Sequence, residues 1–114
     1  MRRGELYRVV DVQGDPRRAR VVLVVSRQRF IDSTYSKVAC VPVYSTFGGL
    51  ESEVRVGPEA GLKHDSALRA DEVLSVGKSQ FRQQVGTASA ETMRAVGRAL
   101  AVALDIQPDE VEDL

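Results

Sequence analysis

Arg69 and Asp71 stand two positions apart in a segment, Ser66 to Val76, that reads as a β-strand. Alternate side chains leave opposite faces of a strand, so this guanidinium and carboxylate share one face while Leu68, Ala70, Leu74 and Val76 share the other. Such a pair can bind or help to cleave something negatively charged. It is also the composition of an exposed ion pair that contributes little to stability. A carboxylate beside a guanidinium is a weak base at neutral pH, and a guanidinium, ionising above about pH 12, is a poor proton donor. The chemistry that suits the pair is therefore electrostatic: clamping a phosphate, or orienting a hydroxyl or a second arginine. Strict alternation would put Glu72 on the apolar face unless a bulge resets the register.

One further group could share that chemistry: Arg17, Arg18 and Arg20 cluster within four positions. Other mechanisms lack their parts. No glycine loop of the phosphate-cradling type opens a helix, and no Gly-x-Ser-x-Gly elbow exists. One histidine, His64, and one cysteine, Cys40, do not make a zinc site of usual type. His64 falls in a glycine-flanked loop and reads as exposed, whereas Cys40 reads as a buried free thiol in an apolar strand. One reaction needs only arginine, carboxylate and hydroxyl groups: cleavage of RNA by its own 2′-hydroxyl. A base takes the hydroxyl proton, a cation steadies the phosphorane and an acid protonates the leaving 5′-oxygen. No metal or cofactor takes part, and DNA, lacking the hydroxyl, is spared.

The elements that must position these residues follow from patterning. Short strands are expected over Leu6–Val12, Val21–Val25, Val38–Val43, Glu53–Val56, Ser66–Val76 and Gln83–Gly86, separated by glycine and proline turns. Val21 to Val25 is a continuous β-branched run of the kind buried on both faces. Pro42 suggests an edge or bulge at the end of its strand. From Ala90 the apolar period changes: Met93, Val96, Leu100, Ala103 and Leu104 mark one face of a helix capped by Ser89 and stopped by Pro108. Gly97 in mid-helix suggests close packing on the sheet. Together these predict a mostly β, α+β fold: a small antiparallel barrel with a C-terminal helix packed on it.

Composition sets outer limits. The 114 residues fit one domain, and 43% hydrophobic with 28% charged residues is ordinary for a globular chain. Net charge is zero, so a basic footprint for bulk nucleic-acid binding is absent, although 13 of the 16 basic residues are arginine. No apolar run approaches the ~20 residues of a membrane span. With no secretory-type leader and a single cysteine, a cytoplasmic location is expected.

The chain resembles the MazF/PemK (Kid) toxin family of type II toxin–antitoxin systems. The resemblance runs through Arg3-Gly4-Glu5-Leu6-Tyr7, Arg20 to Ser26 with Phe30 following, Val41-Pro42-Val43-Tyr44-Ser45, Gly61-Leu62, Ser66 to Glu72, Lys78-Ser79-Gln80-Phe81, and Gly86 with Met93 and its helix. It implies one toxin domain over residues 1–106 followed by an acidic tail, 107–114. It further implies an SH3-like β-barrel, a homodimer, and cleavage of single-stranded RNA without a metal. A cognate antitoxin would neutralise the toxin. By the same resemblance Arg20, Arg69 and Asp71 are the catalytic residues, with Arg17, Arg18, Tyr44, Ser45 and Thr46 contacting substrate.

Four positions depart from the family pattern: Val21 replaces a proline, Glu72 a glutamine, Ile31 an asparagine and Tyr44 a catalytic threonine. Tyr44 can supply a hydroxyl from a more distant position, stack on an unpaired base for ~1–3 kcal/mol, or pack on the barrel rim. Two alternatives stay open at this point. One is a family member that binds RNA or antitoxin without cleaving; the other is a toxin resembling CcdB, which binds gyrase.

Overall fold

The computed structural model describes residues 1–11 and 20–111; Arg17 and Arg18 lie outside the described residues. The strands are β1 (Glu5–Val9), β2 (Arg20–Val24), β3 (Lys37–Tyr44), β4 (Glu53–Val56), β5 (Ser66–Arg69), β6 (Leu74–Gly77) and β7 (Phe81–Thr87). Two α-helices accompany them, a single turn α1 (Gln28–Ile31) and the C-terminal α2 (Ala90–Ala103). Every strand pairing is antiparallel.

β3 is the hub. One edge pairs with β2 through Val22↔Pro42, Leu23↔Val41 and Val24↔Cys40. The other edge pairs first with β6, from Lys37↔Gly77 to Cys40↔Leu74, and then with β5 at Val43↔Leu68 and Tyr44↔Ala67. Pro42, which has no N–H, falls in the gap between those two partners. It is therefore buried in a central strand rather than placed at the expected edge.

The sheet runs β4-β5-β3-β2-β1-β7, with β6 on β3. Its outer strands β4 and β7 do not pair, so the closed SH3-like barrel expected from the sequence does not form. The fold is α+β, an open antiparallel sheet carrying a C-terminal helix. The chain leaving β4 turns through a 3-10 helix (Pro58–Ala60), in which Ala60 and Leu62 donate to the Gly57 carbonyl and Gly61 to that of Pro58.

Apolar side chains pack on both sheet faces. Leu6, Leu23, Val41, Val56, Leu68 and Val96 form one cluster, over which α2 lies with Met93 and Leu100. Val9, Val22, Val24, Ile31, Val38, Cys40 and Val76 form the other, closed by α1. β2 feeds alternate residues to each cluster, as its unbroken apolar run requires. Burial pushes the Cys40 thiol up to about 12, so it stays protonated.

The start of α2 is as expected: Ser89 Oγ accepts a 3.0 Å hydrogen bond from the Thr92 N–H. The end differs. The helix stops at Ala103, Asp105 takes a left-handed φ of 53°, and Leu104 is 59% exposed instead of continuing the apolar face. Gly97 does not mark close packing, because a Cβ there would have no atom within 4 Å. No helix among the described residues is long and apolar enough to cross a membrane.

Candidate functional site

The segment from Ser66 to Val76 is not one strand. β5 ends at Arg69, a 3-10 turn takes Ala70–Glu72, and β6 resumes at Leu74. The turn is held against α2 and β3, with the Ala70 N–H donating to the Ser52 carbonyl at 3.2 Å and the Val73 N–H to the Ala70 carbonyl at 3.1 Å. Ala, Asp and Glu are poor strand formers, which agrees with the break occurring there.

That turn separates the two residues that strand alternation had placed side by side. Asp71 accepts a hydrogen bond from the buried Ser52 hydroxyl. Arg69 instead donates through Nε to Glu53 at 3.2 Å, lies 3.5 Å from Glu72 through Nη1, and reaches the Thr46 carbonyl at 3.4 Å. The expected Arg69–Asp71 pair is thus replaced by Arg69 between two carboxylates. Glu53 is the fixed member, its side chain only 5% exposed. The N–H groups of Gly48 and Leu50, joined by Arg69, hold its carboxyl below the ordinary glutamate value.

Tyr44 connects this cluster to Arg20. Its ring carries the Arg69 guanidinium 4.1 Å from the centroid, a cation–π contact, with the Arg20 guanidinium at 5.7 Å. Its hydroxyl accepts from Arg20 Nη2 at 3.3 Å and donates to Glu72 at 2.5 Å. Pairing of Tyr44 with Ala67 across the β3–β5 ladder fixes where the ring starts. The 3-10 turn then supplies the carboxylate that receives its hydroxyl.

Beside Tyr44 and Arg20 opens a groove of about 810 Å³ between the β1–β7 pair, the ends of β2 and β3, and the loop 61–66. Val21, Val43, Leu62 and Val85 give it an apolar lining, and Gln83, Gln84, Ser45 and Ser66 add amides and hydroxyls. Three cations line it, Arg8, Arg20 and Lys63, and none of its described lining residues is acidic. In a chain of zero net charge this is a local concentration of positive charge suited to an extended anion.

Of the residues expected from the sequence, the structure brings Arg20, Tyr44 and Ser45 to this groove. Arg69 stands behind Tyr44, Thr46 contributes its carbonyl to Arg69, and Asp71 is turned to Ser52. Sequence reading missed Arg8, Lys63, Glu53 and Glu72. Lys63 and His64 lie in a loop next to Gly61, and no motif marks them. Glu53 meets Arg69 across the β4–β5 register, sixteen residues away in the chain. His64, exposed as expected, lines the groove with its Nδ1 3.0 Å from the Asp65 carbonyl. No group of three or more His, Cys, Asp or Glu able to hold a metal exists among the described residues.

Residues 2–104 match the family described as PemK-like, MazF-like toxin of type II toxin–antitoxin system. No curated protein matches the sequence. Several solved structures share the fold. An endoribonuclease in complex with its cognate antitoxin, from a mycobacterial species, superposes with a TM-score of 0.81 at 26% identity, covering 94% of this chain and 97% of the other. A second mycobacterial endoribonuclease gives 0.78 at 27% identity, covering 95% of each chain. The toxin MazF-mt6 of Mycobacterium tuberculosis gives 0.80 at 23% identity over 90% of this chain and 98% of the other, a likeness of fold.

Proposed function

This chain belongs to the PemK-like, MazF-like toxin family of type II toxin–antitoxin systems, and we propose that it cleaves single-stranded RNA in the groove beside Arg20 and Tyr44. As a member it is a toxin-type endoribonuclease that works without a metal and is neutralised by an antitoxin protein. The observation that carries the location is the groove itself, three cations and no acid among its described lining residues, with apolar side chains between them, opening next to a tyrosine hydroxyl. Unpaired RNA offers that surface a chain of phosphates and free base faces, and cationic and apolar groups answer them in turn. Assembly as a homodimer is part of the same reading and rests on the resemblance to the family.

The roles divide by geometry. Arg20 is the phosphate ligand, with Arg8 and Lys63 on neighbouring phosphates; its guanidinium is exposed and, among the described residues, hydrogen-bonds the Tyr44 hydroxyl at 3.3 Å. Arg69, already occupied by Glu53 and Glu72, fixes the Tyr44 ring instead of clamping a phosphate. Asp71 ties the 3-10 turn to Ser52 and so holds Glu72 in place. Purified protein is expected to cut single-stranded RNA in excess EDTA, leaving 5′-hydroxyl and 2′,3′-cyclic or 3′-phosphate ends, and to spare the matching DNA. RNA left intact by micromolar protein at low salt overturns the reading.

The position of Asp71 gives a second expectation. Because Asp71 acts through Ser52, Ser52→Ala and Asp71→Ala should slow cleavage alike, each by about tenfold. An Asp71 that reacted with RNA directly would make its own variant slow and leave Ser52→Ala near the parent rate. Single-turnover rates on one oligonucleotide distinguish the two.

A further inference from the structure

Tyr44 stands where the family has a threonine, and a phenol is a stronger acid than an aliphatic hydroxyl. Its environment is specific. The Oη atom donates its proton to Glu72 at 2.5 Å while one of its lone pairs receives Arg20 Nη2 at 3.3 Å. The second contact is long, and it faces the groove that Arg20 lines. Were Arg20 to turn to a phosphate, that lone pair would be free for another donor. On an RNA bound by its phosphate, the 2′-hydroxyl is the donor beside the scissile phosphorus.

We infer that Tyr44 and Glu72 form a proton relay that serves as the general base of RNA cleavage, an inference that rests on the ribonuclease reading above. The 2′-oxygen forms its bond to phosphorus as its proton passes to Tyr44 Oη, and the phenolic proton passes to the Glu72 carboxylate. The bond from phosphorus to the 5′-oxygen breaks, the 5′-oxygen takes a proton from solvent water, and a 2′,3′-cyclic phosphate remains. Glu72 then returns its proton to solvent, which it can reach because its side chain is 46% exposed. No group is oxidised or reduced.

The surrounding charges hold the relay in place. Arg69 on β5 lies over the Tyr44 ring and 3.5 Å from Glu72, and Arg20 on β2 approaches the hydroxyl. Both cations steady electron density gathering on the phenol oxygen as its proton leaves. Glu53 on β4 takes up part of the Arg69 charge and holds it in place. Asp71 is turned to Ser52.

The test is a pH series of single-turnover cleavage rates for the parent, Tyr44→Phe and Glu72→Gln, alongside binding of an oligonucleotide with a 2′-deoxy residue at the cut site. Tyr44→Phe keeps the ring under Arg69, and Glu72→Gln keeps an acceptor for the phenol without a site for its proton. Parent rates are expected to rise from acid pH to a plateau. Both variants should lose about a hundredfold at the plateau and lose the acid limb, while binding changes by less than about threefold. The double variant should be no slower than either single one. Glu72→Gln retaining the parent rate and pH profile, or independent losses that multiply in the double variant, would overturn the relay and leave the ribonuclease reading standing. A parent that does not cleave RNA removes both.

Discussion

Arg20→Ala is expected to slow RNA cleavage by roughly a hundredfold, the usual loss when a preorganised donor to a developing oxyanion is removed. The size follows from what Arg20 does not do. Among the described residues it makes no ion pair, and it donates to the Tyr44 hydroxyl at 3.3 Å. Removing it leaves Tyr44 stacked under Arg69 at 4.1 Å and bonded to Glu72, so the loss is assigned to the guanidinium and not to a displaced ring. Melting temperature should stay near that of the parent. Arg20→Lys keeps the charge but not the two-pronged donor, so it should recover part of the rate.

Salt dependence supplies a second readout for the same variant. Each phosphate neutralised on a single strand contributes about −0.7 to the slope of log K against log salt concentration. Loss of Arg20 should make the slope shallower by about that amount for any RNA sequence. A variant with parental rate and slope would move the scissile phosphate away from Arg20 and toward Arg8 or Lys63.

The legible parts of the chain are those encoded by neighbours. Val21 to Val25 reads as a strand buried on both faces because every position is apolar, and Val22, Leu23 and Val24 are buried. Ser89 reads as a helix cap because the donor it satisfies is three residues away. Arg20 and Tyr44 were legible through the family resemblance, whose motifs fall at the ends of such strands. What was illegible depends on partners far apart in the chain. Glu53 and Arg69 meet only through the β4–β5 register, and Glu72 reaches Tyr44 only because three residues leave the strand as a 3-10 turn. The same turn removed Asp71 from Arg69. Period-two alternation does hold as far as Arg69, and its failure begins at Ala70-Asp71-Glu72. The closed barrel failed for a related reason: strand patterns specify edges, not which edges meet, and the ends β4 and β7 stay unpaired.

Gly86→Ala is expected to destabilise the fold by about 3 kcal/mol or more, lowering the melting temperature by roughly 10 °C. A Cβ on Gly86 would lie 1.6 Å from the Ala60 carbonyl oxygen, 2.6 Å from its carbon and 3.0 Å from Gly61 Cα. All three are backbone atoms, so no rotamer change relieves the clash. The facing residue shows the same approach: a Cβ on Gly61 would meet the Val85 carbonyl oxygen at 2.2 Å, and Gly61 has a left-handed φ of 101°. These two glycines are where the unpaired ends of the sheet touch, backbone against backbone, in place of a hydrogen-bonded ladder. Gly61, Leu62 and Val85 also line the groove, so a methyl group that drives turn and strand apart should weaken RNA binding as well as stability. Gly97→Ala is the control. Its methyl enters open space on α2 and removes a poor helix former, so it should stabilise the protein by about 0.5–1 kcal/mol. Thermal unfolding of the two variants beside the parent reads both signs. A Gly86→Ala protein that melts with the parent would mean that the turn and β7 are not in contact, and that the groove has no wall on that side.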